Sequence, residues 1–308
     1  MATLLDMINE VSMNLSGYTL QQDRATHITN DVAATASTIA APITLTLAST
    51  DSVGKGIIEI DEELFWVDNY DRVGNTATIA PYGRAYLGTT LASHTAGTKV
   101  TIAPTFPRFV IKRAINDTIS AIGSSIFAAN TTTITSNSAV SAFRLPATGT
   151  SLNIRNILAI AYQALGSSKE WIPIRSYRFD GNANSTAFTS SQTVSIYDYI
   201  PSGRSVQIVY ATDPTPFTTN AQEFATQTGL PESCKDLIIL GATYRLLSNL
   251  DPARASMISP QADETDSKRP YGSSQSITKQ VYSLFNQRLN EEVKSQQEKY
   301  PIRVHYSL

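Results

Sequence analysis

The chain has 308 residues, 42% of them hydrophobic and 16% charged, enough for two or three folding units at about 150 residues each. A formal charge of −2 at pH 7 excludes a chain built to grip nucleic acid electrostatically. The one cysteine, Cys234, excludes an intrachain disulfide framework and a cysteine-based zinc site, and points to folding in a reducing cytosol.

Met1 to Asp6 has no basic leader, and Asp6, Asn9 and Glu10 interrupt any apolar run, so no signal peptide is expected. No stretch approaches the roughly 18 apolar residues of a membrane span, so no membrane partner is expected. Residues 3 to 16 predict an amphipathic helix. Leu4, Ile8, Val11 and Leu15 share one face, Thr3 and Asp6 pair as a capping box, and Gly17 stops the helix. Residues 22 to 36, polar and rich in Thr and Ala, read either as a second helix or as an irregular crossing. Ile43 to Leu47 alternates strictly, as a strand does.

Lys55 to Ile102 predicts a self-contained β module. Ile57–Ile60 and Leu64–Val67 form a hairpin across the acidic turn Asp61-Glu62-Glu63, with Thr76–Ile79 a third strand and Lys99–Ile102 a fourth. A Gly- and aromatic-rich crossing, Pro81 to Thr90, joins the last two. At roughly 50 residues such a barrel or rolled sheet is near the lower size limit for independent stability.

Beyond it Pro107 opens a helix with Ile111, Ile115, Ile119 and Ile122 in one stripe, and Arg108, Lys112 and Arg113 beside the stripe. The module therefore reads as an insertion between two packed helices. Thr132–Arg144, Leu152–Tyr162, Trp171–Arg178, Thr193–Tyr197 and Ser205–Tyr210 are candidate strands separated by Pro-, Gly- and Asn-rich turns, the pattern of an antiparallel sheet or sandwich. Leu230-Pro231 starts a helix to about Asn249, apolar over a wide arc that takes in Cys234. Residues 251 to 275 are a Pro- and Ser-rich linker, followed by a long polar helix from Ser276 to about Lys299. The tail from Tyr300 to Leu308 is strand-like: Ile302, Val304, Tyr306 and Leu308 alternate with Arg303, His305 and Ser307.

Little of this carries chemistry. Glu59, Asp61, Glu62, Glu63 and Asp68 are the densest carboxylate group. Carboxylates on adjacent strands would serve acid–base chemistry or a calcium ion, but a solvated hairpin tip is the simpler reading. Asp180 to Asn184 lacks the downstream acid of a calcium loop and reads as a turn. His27, His94 and His305 are far apart, and no Gly-x-Ser-x-Gly elbow accompanies Ser93-His94. Gly83 and Gly88 flank Arg84 without a phosphate-loop pattern, so they read as turns, with Arg84 bonding carbonyls or carboxylates of the hairpin. No catalytic, cofactor-binding or metal residue is assigned, and no enzyme is expected. The basic start of the Ile111 helix reads as a solvated or interface face rather than a DNA contact.

Several blocks nevertheless share a likeness. Within the module they are G-I-I-E-I-D-E-E-L-F-W-V, P-Y-G-R-A-Y-L-G-T-T and S-H-T-A-G-T-K-V. Outside it they are L-L-D-M-I-N-E-V-S-M-N-L-S-G-Y, F-P-R-F-V-I-K-R-A-I-N-D-T-I and L-P-E-S-C-K-D-L-I-I-L-G-A-T-Y-R-L-L. With these the chain resembles the head–tail adaptor (connector, or neck) proteins of tailed bacteriophages. The resemblance implies an α+β fold: a helical ring-forming core with a small inserted β-barrel-like module and a second antiparallel β-sheet or sandwich. The expected parts are 1–50 (helix and lead-in strand), 51–104 (inserted module), 105–129 (core helix), 130–212 (β domain), 213–299 (C-terminal core helices) and 300–308 (extended tail). It further implies a virion protein made in the host cytoplasm and placed at the neck, a homo-oligomeric ring, usually of twelve subunits. Its partners would be the portal, and tail, nozzle or terminator proteins, with double-stranded DNA passing through the lumen without sequence-specific binding. Ile302, Val304 and Tyr306 are then expected to dock the tail on the portal or a neighbouring subunit. Trp66, Tyr82, Arg84 and Tyr86 are expected to form a contact surface on the module. The alternatives are a tail or baseplate protein that attaches to the host through the 130–211 sheet, and a tail-associated hydrolase acting through Glu59 and Asp61.

Overall fold

Leu4, Met7, Ile8, Val11 and Leu15 recur every three or four residues, and the first helix, α1 (Leu4–Thr19), buries all five. The computed structural model describes residues 2–19, 23–137, 139–146, 153–165, 170–186, 188, 190–248 and 273–301. The stripe Ile111, Ile115, Ile119 and Ile122 is likewise buried, on α2 (Arg108–Ile122). The Pro107 carbonyl accepts the first N–H bonds of α2, from Val110 and Ile111. Three further helices follow: the short α3 (Phe224–Thr228), α4 (Lys235–Ser248), which buries Leu237, Ile238, Ile239, Ala242, Leu246 and Leu247, and α5 (Ser273–Lys299).

The first sheet has six strands. They are β1 (Arg24–His27), β2 (Thr44–Thr46), β3 (Gly56–Ile60), β4 (Glu63–Asp71), β5 (Thr76–Ile79) and β6 (Lys99–Ile102), in the order β1-β6-β3-β4-β5-β2 with every neighbouring pair antiparallel. It rolls into a half-barrel around Ile28, Leu45, Leu47, Ile58, Ile60, Phe65, Val67, Ile79 and Val100. Its outermost strands meet just past their ends, where Ile28 bridges Leu47 and the Thr29 N–H donates to Thr46 O at 2.9 Å. The expected hairpin is present, but its turn is only Asp61-Glu62, because Glu63 is already paired with Ile60.

Seven more strands build a sandwich. β7 (Ala128–Thr135), β9 (Ile154–Gln163), β10 (Trp171–Pro173) and β13 (Ser205–Thr212) form a sheet in the order β10-β9-β13-β7. β8 (Ala142–Arg144), β11 (Tyr177–Asp180) and β12 (Thr193–Ile196) form another in the order β11-β12-β8. Both contribute to one core containing Leu145, Ile157, Ile160, Ile174, Val194, Ile196, Val206, Ile208 and Tyr210. Two runs that read as single strands, Thr132–Arg144 and Trp171–Arg178, each break and supply one strand to each sheet.

These sheets correct the expected fold class. The chain is a mixed α/β protein with five helices and thirteen strands among the described residues, all strand pairs antiparallel, rather than a helical ring-forming core carrying β insertions. Strands β1 and β2 account for part of the difference. Both are short, and they become strands by pairing with β6 and β5 at the two ends of the rolled sheet. The chain divides into two compact units: one of Met1–Leu4, Asn116–Ile238 and Ser283–Leu308, holding the sandwich, and one of Leu5–Ile115 and Ile239–Tyr282, holding the half-barrel.

Candidate functional site

The half-barrel carries the densest set of ionisable side chains. Along β4 alternate residues face inward, so Glu63 shares a face with the core residues Phe65 and Val67. A carboxylate placed there must be paired, because an uncompensated buried charge costs several kcal/mol. Its partner is Arg84: Nε donates to Oε1 at 2.9 Å and Nη2 to Oε2 at 2.8 Å, with both side chains only 1% exposed. This is the bidentate geometry that makes arginine–carboxylate pairs strong.

The other guanidinium protons are used as well. Nη1 donates to Ala33 O and to Thr35 O, and Nη2 donates to Ala92 O. All five N–H groups of Arg84 therefore have acceptors, and its guanidinium carbon lies 4.9 Å from the centroid of the Phe65 ring. Glu63 accepts three more bonds, each at 3.0 Å, from the Ala85 and Ala92 N–H groups and from His94 Nε2. Burial alone would push its carboxyl up. The bonds from His94, Arg84, Ala92 and Ala85 outweigh that and hold it at about 2.

His94 closes the network. Its ring is buried, with Nδ1 2.8 Å from Asp61 Oδ2 and Nε2 3.0 Å from Glu63 Oε2. Burial lowers the imidazole, but bonds to two carboxylates outweigh it and raise His94 above its ordinary 6.5. When protonated, the ring donates to both acids. The cluster thus ties the 33–35, 84–85 and 92–94 segments to one hairpin, and every donor on Arg84 and His94 is spent internally.

The remaining hairpin acids have separate tasks. Glu59 is buried on β3 and accepts the Arg108 N–H at 2.5 Å, capping the first turn of α2. Burial pushes its carboxyl from 4.5 to about 7, against the lowering effect of Arg108. Glu62 pairs with Lys112 at 3.0 Å, and Asp68 lies 3.9 Å from Lys55 on the surface. The acidic run is therefore not one solvated tip: Glu59 and Glu63 are interior, while the Asp61 side chain at the turn stays 58% exposed. Among the described residues no cluster of three or more His, Cys, Asp and Glu is placed to hold a metal ion. Of the basic face on α2, Arg108 reaches Asn9 and Lys112 reaches Glu62, so both serve the fold.

The predicted contact residues separate into inside and outside. Arg84 lies inside, as the bonding to hairpin carboxylate and carbonyls requires, and leaves the contact surface. Trp66, on the outer face of β4, stacks obliquely on Tyr86 with ring centroids 5.2 Å apart. Tyr82 and Leu87 stand 73% and 65% exposed in the same crossing. The crossing is tightly wound: Tyr82, Ala85 and Leu87 have φ of 60°, 49° and 56°, a region non-glycine residues rarely adopt. Gly83 is required there because a Cβ would sit 2.9 Å from both the Ala80 and Trp66 carbonyl oxygens. Ile302, Val304 and Tyr306 lie outside the described residues.

In the sandwich unit, Arg288 joins α5 to α4 through Asp236 at 2.7 Å and pairs with Glu292 at 2.9 Å. Cys234 is buried beside Glu292, and burial pushes its thiol up to about 12, which removes the thiolate a nucleophile needs.

Sequence reasoning paired Arg84 with the hairpin but missed His94. The available signal was the register of β4: Glu63 falls in phase with Phe65 and Val67, which marks it as buried and in need of cationic partners. Compared with known proteins, the chain matches no family model, and no curated protein matches it.

Proposed function

We propose that this chain is a structural, non-enzymatic assembly protein of a tailed-phage virion: a head–tail adaptor that joins portal to tail as a ring subunit around passing double-stranded DNA. One observation carries the reading. The three module blocks of the phage-neck resemblance are separated in sequence, yet Glu63 and Phe65 from the first, Arg84 and Ala85 from the second and His94 from the third meet in one buried network. A likeness spread over three blocks is what a shared folded module leaves behind. The chemistry of the network supports the non-enzymatic side, since the donors of Arg84 and His94 are already spent within the protein. A chain of −2 net charge suits DNA passage better than DNA grip.

In this reading Trp66, Tyr82 and Tyr86 form the module's contact surface. Ile302, Val304 and Tyr306 engage the portal or a neighbouring subunit, and the tail, nozzle or terminator proteins lie on the far side. The ring has twelve subunits, is made in the host cytoplasm and resides at the virion neck. Native mass measurement of the full chain, together with electron microscopy of virions carrying a labelled copy, tests it. A closed ring at the neck supports the reading; a trimer at a fibre or baseplate overturns it.

A second reading, host attachment by a tail or baseplate protein, draws on the exposed Trp171, Tyr197 and Tyr199 of the sandwich unit, since exposed aromatic faces stack on sugars. Alanine at Trp171 and Tyr199 that abolished adsorption to host cells while leaving particles intact would favour it.

A further inference from the structure

Sheet edges are where proteins guard against unwanted pairing, and among the described residues all but one are guarded. The half-barrel ties its outer strands together through Ile28 and Leu47. In the three-stranded sheet, β8 has three residues and β11 carries Arg178 and Asp180. In the four-stranded sheet, β10 has three residues and ends in Pro173. The other edge of that sheet is β7, eight residues long, Ala-Ala-Asn-Thr-Thr-Thr-Ile-Thr. It has no charge, proline or glycine, and pairs with β13 in continuous register from Ala128 to Thr135. Among the described residues no strand lies on its other side.

One end of this edge is already occupied. At Phe127, just before β7, the Gln296 side chain of α5 imitates a strand: its Oε1 accepts the Phe127 N–H at 3.1 Å and its Nε2 donates to Phe127 O at 2.6 Å. The Tyr300 ring packs against the Phe127 ring, centroids 5.8 Å apart. Tyr300 thus stands at the start of an open edge. Only Pro301 separates Tyr300 from the alternating segment Ile302-Arg303-Val304-His305-Tyr306-Ser307-Leu308, which lies outside the described residues. At about 3.3 Å per residue its seven residues nearly match the length of β7. Its apolar set would extend the face on which Ile134 packs at the rim of the sandwich core.

Direction decides whose tail fits. Every pair in this sheet is antiparallel. A tail starting beside Phe127 can only run along its own β7 in the parallel sense, the less stable pairing per residue. To run antiparallel it would first have to reach the Thr135 end, roughly 26 Å away at about 3.3 Å per residue, which consumes the segment. A tail arriving from another molecule has no such restriction. We propose that the open edge of β7 accepts, antiparallel, residues 302–308 of a second copy of this chain. Each subunit then carries one donor strand and one acceptor edge, a head-to-tail contact that closes into a ring when the rotation permits. The proposal rests on the oligomeric part of the reading above and names the contact.

Hydrogen exchange and native mass, both followed against concentration for the full chain, test it. The expected result is association accompanied by about ten-fold slower exchange of the outward β7 amides. Ending the chain at Pro301, or making Val304→Pro, abolishes both effects. So does the pair Thr131→Lys and Thr133→Lys on the exposed edge, without moving the thermal midpoint. Mixing the truncated chain, which keeps its edge, with the double-lysine chain, which keeps its tail, restores one-to-one pairing. If the truncated chain assembles like the full one, the strand exchange is overturned while the ring reading stands. If β7 is protected in dilute monomer and exposed by truncation, the tail folds on its own edge and the second-copy assignment is overturned. A full chain that stays monomeric at every concentration removes both.

Discussion

The half-barrel and the sandwich are both antiparallel, yet they handle polar groups and edges in opposite ways. The half-barrel closes its outer strands on each other and buries a carboxylate, a guanidinium and an imidazole whose donors are all spent internally. The sandwich has a core of aliphatic and aromatic residues and leaves the outer edge of one long uncharged strand, β7, without a neighbouring strand among the described residues. The difference shows where each region can afford to be specific. Buried ion pairs add little stability over apolar packing, but breaking one is costly, so the network fixes one arrangement of three loops. The sandwich needs no such fixing and keeps an edge available.

The sharpest way to break this contrast is Arg84→Ala. It leaves Glu63 buried without its guanidinium partner and should cost on the order of 3–5 kcal/mol, read as a lower urea midpoint. A loss near zero would mean that the network does not hold the loops. Glu59→Gln comes next. Its amide oxygen still accepts the Arg108 N–H but no longer titrates. With a folded value of about 7 against 4.5, Glu59 favours the folded state fully only below 4.5, and that contribution is lost as pH rises through 7. The variant should therefore gain on the order of 3 kcal/mol over the parent at pH 8, with little difference at pH 4.

His94 acts in the same direction. Its folded value is raised, so its contribution is complete below 6.5 and lost as pH rises through the folded value. Glu63 works the other way, contributing above 4.5 and failing only as pH falls through about 2. The parent should thus resist acid and weaken on the alkaline side, and His94→Gln should flatten that alkaline decline. A thermal midpoint still climbing from pH 6 to 9 would contradict the assignment. Gly83→Ala, which drives a Cβ against two carbonyl oxygens, should cost about 1–3 kcal/mol. Smallest is Tyr82→Ala. An exposed side chain that makes none of the network's bonds should shift stability by no more than about 0.5 kcal/mol, so a loss of assembly in that variant would report contact and not folding.

Much of the architecture was legible because it is local. The stripes Leu4-Ile8-Val11-Leu15 and Ile111-Ile115-Ile119-Ile122 are properties of neighbouring residues, and both are buried helix faces. The β3–β4 hairpin follows from two β-branched and aromatic runs across a short turn. Reading failed where an element depends on a distant partner. Trp171–Arg178 alternates as one strand would, yet Ile174 turns into the core and the two ends join different sheets. Arg24–His27 has no strong alternation and is a strand because β6 pairs with it. The helical ring-forming core was inferred from resemblance, and the sheets overturn it.

The site divides along the same line. Residue order alone determined that Glu63 stands in phase with Phe65 and Val67, and that the Arg84 crossing turns at Gly83; that no other residue fits at 83 was decided by the Ala80 and Trp66 carbonyl oxygens the fold brings against it. That an acidic hairpin becomes an interior network, with Arg84 21 residues and His94 31 residues away from Glu63, was decided only by tertiary structure. The reason is physical: periodicity reports which face a residue occupies, but a buried charge is satisfied by whatever the folded chain brings within about 3 Å, and that depends on loop paths no local pattern encodes.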